Sequence, residues 1–425
     1  MTTPNGAPRL TPTLRSTTCP ACGHHVAVRF YDGGQRPLAT LAWPTTAEAA
    51  RSMERLPLDF VRCVDCGHVF NASFDYAAVP YSDKPNLMFN RGALWRDFIA
   101  AAQRNIAARV GTGRATIVEI GHGDGSFLRA LARELPQARL IGFDPHGAAS
   151  VPGDAVIFER ALFEPMHHME TLKPALIISR HVLEHFSDPL GFIQSLSFAA
   201  SWHEASPLFY FEVPCVDRAI DALRTADFYY EHNSNFTTES FTRMLERAGL
   251  ATDLIDHGYD GEVIYAIGRL ATQSAHVERA AAATSFDHAV RATAAHIQAQ
   301  LVPLAARRTA IWGGTGKAAA FINTHNLDAD RFPIVVDSDP DKVGTFVPGT
   351  GQPIRGRNWL IANPADVIII PAHWRARDIV REMAAAGIEA ELVLIEHGGR
   401  LIDYFRDPHP YREPTAGAAK IPGAA

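Results

Sequence analysis

The chain has no run of eighteen or more apolar residues, so the sequence predicts no membrane-spanning helix. It has no basic excess either. Lys and Arg number 40 against 46 Asp and Glu, and a net charge of −6 argues against nucleic acid as the main partner. The opening "MTTPNGAPRLTPTLRSTT" lacks the apolar core of an export signal, and residues 1–18 are expected to form a disordered leader. Cysteine is scarce, at five in 425 residues. Four of the five fall in two Cys-x-x-Cys pairs, Cys19/Cys22 and Cys63/Cys66, and Cys215 stands alone. Without an export signal, that spacing points to metal rather than disulfides, and to a cytoplasmic location. No internal repeat is visible beyond the two α/β units described below.

What remains is ordinary soluble-protein composition, 47% hydrophobic and 20% charged, in a chain long enough for two or three domains. Residues 19–80 hold both cysteine pairs, each followed by glycine ("CPACGHH", "CVDCGHVF"). Each reads as a knuckle that aims two sulfurs at one point, and two knuckles supply four thiolates for a closed, structural Zn²⁺ site. His24, His25 and His68 are read as exposed neighbours, and the stretch between the knuckles as loop and short strand. Cys215 reads as a small buried apolar residue.

Residues 81–270 alternate short apolar runs with helical patterns, as in a doubly wound sheet. "TIVEIGHGDGSFLRALAREL" is strand, glycine turn and amphipathic helix; "RLIGFDPH", "PALIISRHVLEHF" and "PLFYFEVP" supply further strands. A helix, "TTESFTRMLERAGL", is capped by Thr237 or Thr238. Residues 271–408 begin with an Ala-rich helix and repeat the α/β alternation through "RTAIWGGTGKAAAFINTH" as a smaller Rossmann-like domain. The Pro/Gly/Ala-rich segment 409–425 is expected to be loose. The fold class is therefore α/β: a small four-cysteine zinc module, a Rossmann-like domain, and a second, smaller one.

In "EIGHGDGSF", Glu119 ends a strand, and Gly121, Gly123, Asp124 and Gly125 form a turn opening a helix. Asp144 follows at the end of the next strand, where a carboxylate would hold the ribose hydroxyls of an adenosine. These residues resemble the first motif of the class I S-adenosylmethionine-dependent methyltransferases, and "RHVLEHFSDP" resembles their fourth-strand segment. The resemblance implies S-adenosylmethionine rather than NAD.

The wider layout, over roughly residues 19–400, resembles the three-domain sugar C-methyltransferases, which methylate C3 of nucleotide-linked 4-keto-deoxyhexoses. "DGGQRPLAT", "DFYYEHNSNFTTESF", "AIWGGTGKAAAFIN" and "VVDSDPDKVGTFVPGTGQPI" carry it. By this resemblance Tyr229, Glu231 and His232 are active-site residues, and His185 is the base, with His181 its rival. Tyr81 matches the active-site tyrosine after the zinc module, ahead of Tyr76. Tyr230 is assigned to the core. Lys317 and Lys342 are surface lysines or contacts to a nucleotide diphosphate. Departures from the family at Asn235, in "HGYDGEV", and at Trp312 and Thr315 are expected to shape the acceptor pocket. Carbon is a poor nucleophile towards a sulfonium methyl, so the sugar must first become an enolate. That step calls for a base and for donors to the developing oxyanion, and a cluster of Tyr, Glu and His offers both. The competing readings are a methyltransferase for another small molecule and a zinc-anchored nucleotide-binding protein without turnover.

Overall fold

Both cysteine pairs close tight knuckles in the computed structural model, which describes residues 11–41, 43–79, 92–270 and 273–412. Gly23 N–H donates to Cys19 O and Gly67 N–H to Cys63 O, and both glycines take the left-handed conformation the turn needs. Around the knuckles lie four antiparallel strands, β1 (Leu14–Ser16), β2 (Val26–Arg36), β3 (Leu56–Cys63) and β4 (Val69–Asn71). Two expectations change here. Strand β1 falls inside the segment read as a disordered leader, because Leu14 pairs with Val28 at the sheet edge. The stretch between the knuckles holds an eleven-residue strand rather than only loop and short strand. Register shifts at Arg29/Tyr31 and Asp32/Gly34 take up extra residues, so Asp-Gly-Gly makes a bulge and not a turn.

Five parallel strands follow: β5 (Thr116–Ile120), β6 (Arg139–Phe143), β7 (Val156–Glu159), β8 (Leu176–Arg180) and β9 (Leu208–Pro214). The short β10 (Ser234–Asn235) leaves this sheet and pairs with β4, so the N-terminal sheet is completed by residues far along the chain. Strands β11 (Leu250–Gly258) and β12 (Val263–Leu270) return antiparallel, giving the order β11-β12-β9-β8-β5-β6-β7. Strand direction of travel reverses between β5 and β8, and a crevice is expected beyond their carboxyl ends. Helices Ala93–Val110, Ser126–Glu134, Pro189–Trp202 and Thr238–Arg247 belong to this domain, and two apolar clusters form its core. Thr237, not Thr238, caps the last helix, in a reciprocal box with Ser240.

The unit from residue 279 onward carries its own sheet. Strands β13 (Thr309–Trp312), β14 (Ile334–Asp337), β15 (Ile354–Gly356), β16 (Val367–Ile370), β17 (Leu392–His397) and β18 (Arg400–Asp403) are ordered β15-β14-β13-β16-β17-β18, parallel except for the last. The Ala-rich helix Ser274–Leu301 buries only Ile297 and Leu301. Residues 409–412, expected to be loose, are tied down: Tyr404 Oη donates to Tyr411 O, and Arg412 Nε donates to Tyr404 O. Among the described residues no helix is long and apolar enough to cross a membrane.

Candidate functional site

A cavity of about 1060 Å³ opens at the switch point, walled by the glycine turn after β5 and by residues 180–185 after β8. Gly121, Gly123 and Asp124 line it, whereas Gly125 and Asp144 do not. Gly121 has φ of 74°, and a Cβ there would stand 2.2 Å from Val182 Cγ2, so no other residue fits between turn and wall. Asp144 shapes this turn: its carboxylate accepts from Gly123 N at 3.0 Å and from His146 N at 2.9 Å. Glu119 faces the cavity with Oε2 unpartnered although only 2% of the residue is exposed. Burial pushes its carboxyl up to about 8, against the opposing charge of Arg180. An orphaned carboxylate oxygen beside a glycine cradle fits the polar amino-acid end of S-adenosylmethionine.

Behind this wall lies a buried charge network that sequence reasoning missed. Arg180 donates to Glu212 Oε1 at 2.9 Å and covers the ring of Phe127 at 4.1 Å. Tyr210 donates to Glu212 Oε2 at 2.6 Å. Glu212 is fully buried, which alone would raise its pKa, but the Arg180 guanidinium and His181 hold it down at about 2. Removing either partner of such a pair would strand a buried charge, at a cost of about 3–5 kcal/mol. One signal was available, since a glutamate inside the otherwise apolar run "PLFYFEVP" has no place in a strand core without a cation.

His181 belongs to that network. Burial disfavours its charged form, but Glu184 at 3.5 Å and Glu212 at 3.0 Å outweigh this and raise its pKa. The Glu212 contact lies off the hydrogen-bonding direction of Nε2, so the attraction is chiefly ionic. A raised pKa makes the charged form more favourable than in a free imidazole, which weighs against His181 as the base. His185 stands near the same carboxylate, with Glu184 Oε1 4.0 Å from its Nε2, but its Nδ1 meets a different partner. Its Nδ1 lies 2.8 Å from the carbonyl oxygen of Glu231, which can only accept, so Nδ1 carries the hydrogen and Nε2 keeps the lone pair.

His232 and Tyr229 complete this side of the cavity. His232 stacks edge-on against His185 with centroids 4.9 Å apart, and its Nε2 lies 2.7 Å from Tyr229 Oη. Burial, then the neighbouring His185, push His232 down to about 3, and burial raises Tyr229 well above the phenol range. Both therefore stay neutral near pH 7, a hydrogen-bonded pair beside a histidine lone pair.

Glu231, between them in sequence, points elsewhere. Its buried carboxylate binds the backbone N–H groups of Ala39, Thr40 and Leu41. Tyr81 lies outside the described residues. Tyr76 is half exposed, and Tyr230 is core, its hydroxyl accepting from Asp75 N at 2.8 Å. Of the departures expected to shape the acceptor pocket, Tyr259 and Glu262 of the "HGYDGEV" stretch line the cavity. Asn235 is instead buried in β10, donating to His232 O, and Trp312 is core in the C-terminal unit. Lys342 pairs with Asp339 at 3.3 Å, and Lys317 lies 5.7 Å from the Trp374 ring.

The four knuckle thiols are buried, with Cys19 and Cys66 Sγ 3.7 Å apart and Cys22 and Cys63 Sγ 3.6 Å apart. A tetrahedron with metal–sulfur bonds of about 2.3 Å has edges of about 3.8 Å, so the set fits one zinc ion. Cys215 is buried as expected. His68 is not the exposed neighbour predicted. It is fully buried, its ring 4.7 Å from that of Phe236, because β10 and helix Thr238–Arg247 cover the second knuckle.

Comparison with known proteins gives two domain matches. Residues 90–254 match the model of a methyltransferase domain, and residues 243–402 match that of a C-methyltransferase C-terminal domain. The chain therefore carries a methyltransferase domain of the S-adenosylmethionine-dependent kind followed by a C-methyltransferase C-terminal domain. No curated protein matches. Among solved structures, one similar chain comes from a complex between the Haloferax volcanii Trm112 methyltransferase activator and a methyltransferase. It is 14% identical, with 42% of this chain and 92% of that one covered, at a TM-score of 0.34. An S-adenosylmethionine-dependent methyltransferase from Mesorhizobium loti is 17% identical over 40% of this chain and 97% of that one, at a TM-score of 0.30. The magnesium protoporphyrin IX methyltransferase of Synechocystis PCC 6803 is 14% identical over 43% and 89%, at 0.30. Likeness at this level carries no functional weight.

Proposed function

We propose that the protein methylates C3 of a nucleotide-linked 4-keto-deoxysugar, with His185 as the base. The observation that carries this reading is the His185 ring: its Nδ1–H is committed to a backbone carbonyl, and its lone pair lies in the same wall as Tyr229 and His232. In the first step His185 Nε2 takes the C3 proton, and the electrons of that C–H bond form the C3–C4 double bond while charge moves to O4. The Tyr229–His232 pair supplies the hydrogen-bond donor to O4. Bound S-adenosylmethionine supplies a methyl group on a sulfonium, an electrophile for the enolate carbon. Methyl transfer restores the ketone, and the proton on His185 passes to solvent. Glu119 and the glycine turn bind the donor, and Arg180 and Glu212 hold the wall rigid behind it. A zinc ion in the four-cysteine set completes the proposal as a structural cation, since four thiolates leave no open position.

The test offers methyl-labelled donor and purified protein to a panel of nucleotide-linked 4-keto-deoxysugars and locates the new methyl by NMR. The expected product carries it on C3, and His185→Asn reduces its formation at least a hundredfold. Label arriving on oxygen or nitrogen, or only on acceptors outside this class, contradicts the proposal and favours another small-molecule acceptor.

A further inference from the structure

Buried carboxylates near the cavity are mostly matched by donors. Glu212 accepts from Arg180 at one oxygen and from Tyr210 at the other. Glu231 accepts from the backbone N–H groups of Ala39, Thr40 and Leu41. Glu184 does not fit that pattern. It is only 1% exposed and lines the cavity, and its Oε2 has no hydrogen-bond partner among the described residues. Its Oε1 lies 3.5 Å from His181 Nδ1 and 4.0 Å from His185 Nε2. Burial works against its charge, but His181 and His185 together outweigh it, and the carboxyl lies below its ordinary range. An ionised carboxylate can only accept, so Oε2 is an acceptor that lacks a donor. A buried charged oxygen in that state is costly, and a ligand that brings a donor relieves the cost.

The place of Glu184 says which part of a ligand that donor belongs to. It follows β8 in the short turn Leu183–His185, next to the proposed base in sequence and in space. Proton abstraction puts the C3–H of the acceptor within hydrogen-bond reach of His185 Nε2. Any heteroatom on C3 is one bond from the same carbon, on the scale of the 4.0 Å that separates that nitrogen from Glu184. The Tyr229–His232 pair already serves O4 in the proposed reaction.

We propose that Glu184 is a further acceptor-binding residue, whose carboxylate accepts a hydrogen bond from a hydroxyl or amino group on the carbon to be methylated. The proposal rests on the reading of the acceptor as a 4-keto-deoxysugar methylated at C3. Three neighbouring parts of the sugar then meet three groups of one wall: the C3 hydrogen at His185, O4 at Tyr229 and His232, and the C3 substituent at Glu184. Held at three points, the ring presents its C3–H bond to the base. Ligand atoms of Glu184, His185 and His232 within 4.8 Å of one another are also the pattern of a cation site, so the test has a metal arm.

Steady-state methylation by the full-length, zinc-loaded protein is compared on three nucleotide-linked 4-keto-deoxysugars, carrying hydroxyl, amino or only hydrogen on C3. Wild type should prefer at least one donor-bearing acceptor over the C3-deoxy one in kcat/KM. Glu184→Ala should cut that preference by about tenfold to 150-fold, the range of a hydrogen bond to a charged group. Glu184→Gln keeps one acceptor oxygen and should cut it by less, which keeps the test open should Glu184→Ala fail to fold. The acceptor whose advantage falls further identifies the group as hydroxyl or amine. Variants that slow all three acceptors alike, with the preference intact, reduce Glu184 to a structural role and overturn the proposal. Wild type that methylates all three at C3 without preference overturns it before any variant is made. Methylation of every acceptor that stops on chelation, with one zinc per chain still bound, assigns Glu184 to a cation and overturns it too. Wild type that methylates none of the three at C3 overturns the acceptor reading itself, a result distinct from the loss of the Glu184 assignment alone.

Discussion

His181 and His185 stand four residues apart on one segment, both near Glu184, and differ in their remaining partners. Two carboxylates raise the pKa of His181, while a backbone carbonyl takes the Nδ1 hydrogen of His185 and leaves Nε2 able to accept one. The sequence alone could rank them only by resemblance, because the deciding groups, Glu212 and Glu231 O, come from other elements. Glu119 gives the prediction that belongs to this scale. Its carboxyl, pushed up to about 8 by burial, is protonated at pH 7 and ionises above 8. The cationic donor prefers the ionised form, so affinity for S-adenosylmethionine should rise about tenfold between pH 7 and pH 9. Titration calorimetry across that range checks it: Glu119→Gln should flatten the rise, and an equal rise in the variant would remove Glu119 from the donor site. Other residues were not legible in the sequence for a shared reason. Arg180 and Glu212 interact across adjacent strands, and Glu231 contacts residues about 190 positions away, separations that no local pattern records.

At the scale of elements, the knuckles, the strand–turn–helix at residues 116–134 and the capped helix at residues 238–247 were legible, because each is specified by neighbours in sequence. Strand β1, the long β2 and the short β10 were not, since each exists only through pairing. Strand β10 matters most. It adds residues just past His232 to the sheet built on the knuckles, so that sheet and the segment proposed as catalytic share hydrogen bonds. Metal in the knuckles should therefore be felt at the cavity. Removing about one equivalent of zinc with a chelator, or introducing Cys63→Ser, is expected to lower the melting temperature and then the acceptor turnover, with donor affinity retained. Thermal melts with metal analysis and donor titration check this. A metal-free protein with unchanged melting temperature and full turnover would show that the four thiols hold no structural ion.

Across the whole molecule, three sheets divide the labour. The central sheet carries the glycine turn and His185, proposed here as donor cradle and base, and the loop after β2 places Thr40 and Trp43 in the wall of the same cavity. The C-terminal unit repeats the α/β pattern with its own glycine turn after β13. The account depends on His185 making a carbanion beside a ketone before any methyl moves. Its most direct test is incubation of a nucleotide-linked 4-keto-deoxysugar with the protein in D₂O, without donor, followed by NMR at C3. The account predicts that the C3 proton is replaced by deuterium with wild type and far more slowly with His185→Asn. Exchange at the same rate in both proteins, or none with a sugar that wild type methylates at C3, would contradict it.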